Sequence, residues 1–190
     1  MVQNANNVAI KKPATAAGAL FYLPANAAVS SDPSVALPQG VKSAGYIASA
    51  GFTFSDGQEA GDGVVAFGGD TVVSGTTVSN PTVTFSILEV ESKDAMALAY
   101  AESDLSGTDG ALKLTDSGAT PSAKTLIMEF ALKNGKVERV VYRNAEFSTR
   151  GDRTIDNENP DSIEVTYNIR RDDKGVYKTS QVSDVSTRGA

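Results

Sequence analysis

The chain has 190 residues, 41% of them apolar, a net charge of −6, and neither cysteine nor histidine. Disulfides, thiolate nucleophiles, zinc sites of the Cys/His kind and imidazole general bases are therefore excluded. An enzyme would have to run on carboxylates, lysine, tyrosine or hydroxyls, so a binding or structural protein is expected. The length suits one domain with short arms, and no basic face built to grip phosphate is visible.

Residues 1–15, rich in Asn and Ala and holding Pro13, read as an extended arm. Lys11 and Lys12 followed by "PATAAGALFYLPANAA" imitate a secretory signal, but the apolar core "AGALFYL" is short and follows ten polar-leaning residues. A first strand over "GALFYLP" is expected instead. No run approaches the length that spans a bilayer, and no membrane association is expected. Residues 25–40, with Pro33 and Pro38, read as a loop, and "SAGYIASAGFTFS" returns to strand character with Tyr46, Phe52 and Phe54 as core anchors. "DGQEAGDGVVAFGGD" (56–70) reads as a long Gly/Asp loop.

"PTVTFSILEVE" alternates: Val83, Phe85 and Ile87 point one way, and Thr82, Thr84 and Ser86 the other. The period then changes. Ser92 caps a helix expected over residues 92–104, with Asp94 in its first turn and Ala95, Met96, Leu98, Ala99 and Tyr100 on its apolar stripe. A polar loop, 103–123, leads to the closing strands. In "KTLIMEFAL" the residues Leu126, Met128, Phe130 and Leu132 share a face, and Asn134-Gly135 predicts a two-residue type I′ hairpin into "VERVVYRNAEF". "SIEVTYNIRR" and "GVYKTSQV" are expected to form a last hairpin turning at Asp172, Asp173 and Gly175, ahead of a C-terminal arm, 183–190. The sum is a mainly β domain over 16–182, a two-sheet β-sandwich or partly closed barrel, with one flanking α-helix, a long inter-strand loop and terminal arms.

Charge is uneven. Residues 51–110 hold ten acidic side chains and one basic, Lys93, whereas residues 124–178 interleave ten acidic with eleven basic. The Gly/Asp loop lacks phosphate-loop spacing, and its Asp56, Glu59, Asp62 and Asp70 would repel phosphate. "DLSGTDG" (104–110) resembles a calcium loop only faintly, with Gly107 out of register, and reads as a polar turn. Arg150-Gly151-Asp152 is an integrin-type tripeptide that arises often by chance. Glu89 and Glu91, on one face of a strand end, can be posed as a glycosidase pair. No cofactor or metal is called for by these motifs.

The order of features carries more. It runs through "NNVAIKKPATAAGALFYLPA", "VKSAGYIASAGFTFSDGQE", "VVAFGGDTVV" and "TVTFSILEVESKDAMALAY" to the closing charged strands. This order resembles the major tail tube protein of long-tailed bacteriophages, of the type common among phages of actinobacteria. The likeness spans nearly the whole chain. Family members often carry Trp before the Gly-Gly-Asp turn, where Phe67 stands here.

The resemblance implies a structural virion protein, assembled in the host cytoplasm, whose hexameric rings stack into a hollow tube through which DNA passes without specific binding. Its partners would be its own copies, the tape-measure protein, and tail terminator or tip proteins. It places ring stacking in residues 56–70, with Asp56, Gln58, Glu59, Asp62, Phe67, Gly68, Gly69 and Asp70 as contacts. Inter-subunit arms would use Asn4, Asn7, Lys11, Lys12 and Arg188. Small or acidic polar strand faces suit a lumen that must not hold a polyanion, and Thr82, Thr84, Ser86, Glu164, Thr166 and Asn168 are the candidates. Rival readings are a carbohydrate-binding or glycosidase β-sandwich using Glu89 and Glu91, and a tube protein like that of type VI secretion. The terminal arms and residues 56–70 are expected to be mobile in a free subunit.

Overall fold

A computed structural model describes residues 10–60, 64–73, 76–78, 80–153, 155 and 157–185. In chain order the strands are β1 (Lys12–Pro13), β2 (Leu20–Pro24), β3 (Lys42–Ser43), β4 (Ile47–Ser55), β5 (Gln58–Ala60), β6 (Val64–Val65), β7 (Thr71–Val73), β8 (Thr76–Val78) and β9 (Thr82–Ile87). A helical turn, α1 (Lys93–Met96), precedes β10 (Leu105–Thr108), β11 (Ala111–Leu114), β12 (Lys124–Ala131), β13 (Lys136–Arg150), β14 (Ile163–Arg170) and β15 (Thr179–Asp184). The fold is mainly β, as expected. One antiparallel sheet runs β3-β2-β12-β13-β14-β9-β4, with β1 added beside β12 and β15 beside β13.

Alternation explains its curl. Val83, Phe85 and Ile87 on β9, and Ile163, Val165, Tyr167 and Ile169 on β14, are buried on one face, so these strands bury only that side. To cover it the sheet folds back on itself: Phe52 of β4 meets Phe130 of β12 edge-on at 5.6 Å between ring centroids, although β4 ends the hydrogen-bonded path. Phe54 stacks on Tyr142 of β13 at 6.2 Å. Two layers result, with Leu20, Tyr22, Leu126 and Met128 facing the β9/β14 side chains across one core. A close approach finishes the seam: Gly18 bridges Gly45, and a Cβ at Gly18, whose φ is +102°, would run into the Gly45 carbonyl.

Strand β12 is buried without interruption from Lys124 to Phe130, because it is covered on both sides. Its second face, with Phe21, Leu23, Ile127 and Val141, lies under the expected loop, which supplies Val29 and Leu37, and under Val41 just after it. Arg139 pins that loop down. Its guanidinium donates to the carbonyls of Ser30 (3.0 Å), Asp32 (2.8 Å) and Val35 (2.7 Å), and its charge is met by Glu129.

Several local expectations are corrected. The helix expected over 92–104 is one turn long, followed by tight turns and a 3₁₀ turn at Glu102–Asp104. Ser92 does cap it, accepting from the Ala95 amide. Residues 95–101 are all buried, so no polar face exists to sustain an amphipathic helix. Hydroxyls from the sheet also take two carbonyls of this segment: Tyr22 donates to Asp94 and Tyr167 to Leu98.

The last hairpin does not form. β15 pairs with β13 rather than with β14, in line with β14 along the same edge. Strand β13 is 15 residues long, long enough to serve both. The turn at Asp172, whose carboxylate accepts from the Lys174 and Val176 amides, makes an excursion after which the chain resumes its course. The 134–136 hairpin exists, but Leu132 bonds Lys136 across a three-residue loop with only Gly135 at positive φ, which is not type I′. The polar loop 103–123 contains the β10/β11 hairpin, turning at Asp109-Gly110.

Candidate assembly surface

The six polar residues singled out on two strands meet on one face. In the β9/β14 ladder Ser86 lies opposite Glu164, Thr84 opposite Thr166, and Thr82 opposite Asn168. The Thr84 and Thr166 hydroxyls are 2.9 Å apart. Thr53 and Ser55 continue this face on β4, opposite Thr84 and Thr82. Glu146 continues it on β13, opposite Asn168, and accepts from Arg170 at 2.8 Å. The face follows from the buried one: with period 2, every inward Val, Phe or Ile sends its neighbour outward. The two outer surfaces of the domain differ. The one over β2 and β12 is sealed by residues 25–41, whereas Glu164, Thr53 and Ser55 are exposed.

Strand β4 has β9 on one side and ends the sheet path, so among the described residues its other edge is open along Phe52–Ser55.

The described residues of 56–70 do not form an irregular loop. They form half of a hairpin arm in which Gln58–Ala60 pair with Thr76–Val78, and Val64 and Val65 pair with Val73 and Thr71. This continues the β4/β9 ladder beyond the Ser55–Thr82 pair in nearly the same register. The tip is closed by the Gly69 amide on the Ala66 carbonyl and the Ala66 amide on the Asp70 carbonyl, both 2.8 Å. Phe67 is wholly exposed there, Gly68 and Gly69 have open space around them, and Asp70 is exposed. Asp56, exposed at the base of the arm, together with Glu138 adds to the effect of burial in pushing Tyr142 up to about 12. Gln58 and Glu59 take their places in β5 by their backbones.

Of the arm residues, Lys11 is turned onto its own chain. It pairs with Glu138 at 2.6 Å and lies over the Phe130 ring. Burial alone would raise the Glu138 carboxyl, but Lys11 and the Ser180 hydroxyl outweigh it and hold it below its ordinary value. Lys12 is exposed on β1. Asn4, Asn7, Asp62 and Arg188 lie outside the described residues, and β15 carries regular structure to Asp184, past the expected start of the C-terminal arm.

The rival chemical motifs are engaged elsewhere. Glu89 lies beyond the end of β9, and its carboxylate accepts from the Tyr46 amide at 2.9 Å while covering Gly45. Glu91 follows it in the turn that leads into α1. Arg150 donates to Asp116 (2.9 Å) and to the Ala99 carbonyl, and stacks 4.0 Å over Tyr100, so it is not presented as part of a tripeptide. The carboxylate of Asp104 accepts from the Ser117 hydroxyl and amide, which hold its pKa down. Of the expected core aromatics, Phe52 packs against the core, but Tyr46 is 69% exposed and Phe54 43%.

A cavity of ≈ 270 Å³, which sequence reasoning did not find, opens between β1 and β4. Strand β4 leaves the register of β9 between Ile47 and Phe52, and the intervening residues bow away from the seam. The positive φ of Gly51 is a local sign of it in the chain. No family model and no curated protein matches the sequence.

Proposed function

We propose that this chain is a self-assembling tube subunit of the kind its sequence resembles, a tail tube protein whose rings stack into a hollow conduit for DNA. The observation that carries the reading is the hairpin arm that begins at residue 56 and returns to β9. A β-domain extends its β4/β9 ladder past its own body and holds an uncovered aromatic at the tip. With Phe67 fully exposed, the tip is the kind of part that reaches a neighbour.

Two further features support the reading. The open edge of β4 is adjacent to a bare polar face, and joining such edges between copies would remove the aggregation hazard of each. The face joined in this way would carry Thr82, Thr84, Ser86, Glu164, Thr166 and Asn168 on its inner side. Hydroxyls, amides and a carboxylate let a polyanion slide without being held. Tape-measure and terminator or tip proteins would be the other partners, at the ends and within the lumen. The reading assigns no catalysis, and the carboxylate pair a glycosidase would need is occupied in part by Tyr46.

Negative-stain electron microscopy of the concentrated protein tests the proposal. Filaments of uniform width with a central channel are expected. Monodisperse particles at every concentration, in the presence of intact full-length chain, would overturn it.

A further inference from the structure

We propose that Phe67 at the arm tip of one copy inserts into the apolar cavity between β1 and β4 of a second copy, making a head-to-tail contact. This rests on the self-assembling reading and gives its longitudinal contact a specific knob and hole.

The knob is preformed. Two backbone hydrogen bonds close the turn beneath Phe67, and the ring meets solvent on all sides. The hole is walled by Pro13, Ile47, Ala48, Phe52 and Phe130, with the exposed Tyr46 beside it. Apolar cavities of about 150 Å³ accept a benzene ring. At ≈ 270 Å³ this one has room for a phenyl group and part of the turn that carries it. Charge complements shape: the exposed Lys12 lines the cavity beside Lys11, whose own charge is met by Glu138, while the tip presents Asp70. An aromatic anchor entering a pocket with opposite charges at its rim is the usual make-up of an energetic centre in an interface.

Chain direction makes the contact intermolecular. The cavity lies along residues 47–52 of β4, and the tip lies beyond its other end. Beyond Ser55 the paired strands Gln58–Ala60 and Val64–Val65 lead away from the cavity. Each copy therefore offers one knob and one hole at opposite ends. A contact of that kind is heterologous and repeats without closing, which is what a stack of rings requires.

The absence of cysteine from the chain allows a clean test. Gly68→Cys keeps Phe67 and stands in open space at ordinary φ, and Ser49→Cys lines the hole at an exposed position. An equimolar mixture of the two full-length variants, under mild oxidation, should give a disulfide-linked heterodimer faster than either variant alone. It should also outpace a mixture of Gly68→Cys with Ser106→Cys, an exposed residue of β10 away from the hole. Adding Phe67→Ala to the Gly68→Cys chain should slow the coupling roughly tenfold or more, the loss expected of an interface anchor. If the Ser106→Cys variant couples as fast as the Ser49→Cys variant, or if Phe67→Ala makes no difference, the proposal is overturned. Wild-type filaments without coupling between the Gly68→Cys and Ser49→Cys variants would leave the tube reading standing and sink the knob and hole. Selective coupling without filaments would do the reverse.

Discussion

Arg139 and Glu129 form an ion pair at 2.6 Å with neither side chain exposed to solvent. It sits between β12 and β13 under the loop of residues 25–41, and the arginine spends its remaining donors on three loop carbonyls. The pair thus joins two jobs: neutralising a buried carboxylate and sealing one outer face of the domain. Arg139→Met should cost roughly 3–5 kcal/mol in urea unfolding, because it leaves Glu129 charged and buried. Glu129→Leu combined with Arg139→Met should recover most of that loss. Amide exchange at residues 29–37 separates the jobs. It should rise in both variants lacking Arg139, and stay protected in Glu129→Gln, which still accepts from the guanidinium. Equal stability of single and double variants would show that charge burial is not the dominant effect.

Tyr167 reaches through the core to the Leu98 carbonyl at 2.8 Å, and Tyr22 reaches the Asp94 carbonyl at 2.7 Å. The first bond ties down the non-helical segment after α1, and the second ties down α1 itself. Tyr167→Phe strands a buried carbonyl and should cost about 1–3 kcal/mol. Tyr22→Phe should cost less, since Asp94 is half-exposed and water can replace the hydroxyl. Chemical denaturation of both variants checks the order, and an inverted order would place the anchoring bond at Tyr22.

What the sequence made legible follows the same division between local and long-range causes. Alternation in 82–87 and 163–169 revealed two strands and the polar face each would show. That the two faces lie side by side depends on pairing across some eighty residues, which periodicity does not encode. Strand β12 hid its second buried face because Thr125 and Glu129 read as solvent-facing, and only the returning loop covers them, while Lys124, on the other face, is buried against Glu102 and the Tyr22 ring. Arg139 was hidden for the same reason, as one charge among many in a charged strand. In the arm, Gly and Asp masked short ladders. Val64-Val65 and Val72-Val73 flanking a glycine turn were the available hairpin signal. The helix was overcalled because an apolar run implied a stripe, when every residue from 95 to 101 is buried.

Gly45 and Glu89 test whether Glu89 serves structure. A Cβ at Gly45 would collide with the Glu89 carboxylate, and the residue's φ is +67°. Gly45→Ala should therefore destabilise by more than about 1 kcal/mol. Glu89→Ala should be mild, since the Tyr46 amide it releases is at the surface. The double variant should be more stable than the sum of the two predicts, because removing the carboxylate removes the collision while the backbone strain remains. Strict additivity in thermal unfolding would mean that Glu89 yields freely and does not brace the seam.

The polar face gives the prediction that bears most directly on transport. Glu164 is exposed, and Thr166 shares a hydroxyl contact with Thr84, so both positions lie on the face proposed to meet DNA. Lysine at both places reverses one charge and adds another. It sets two cations per chain, two residues apart, on a surface that every copy of the proposed ring would repeat. Phosphate neutralisation is cumulative, and each added contact steepens the dependence on salt. The Glu164→Lys/Thr166→Lys variant should still form tubes of normal width, because neither side chain belongs to the buried core. Those tubes should retain DNA at low salt and release it as salt rises, measured by co-sedimentation against wild-type tubes. Ser106→Lys and Lys113→Arg, on the separate β10/β11 hairpin, should leave passage unchanged. If the doubly substituted tubes released DNA as readily as wild type at low salt, the β9/β14 face would not be the lumen, and the conduit wall would have to be sought on another strand face.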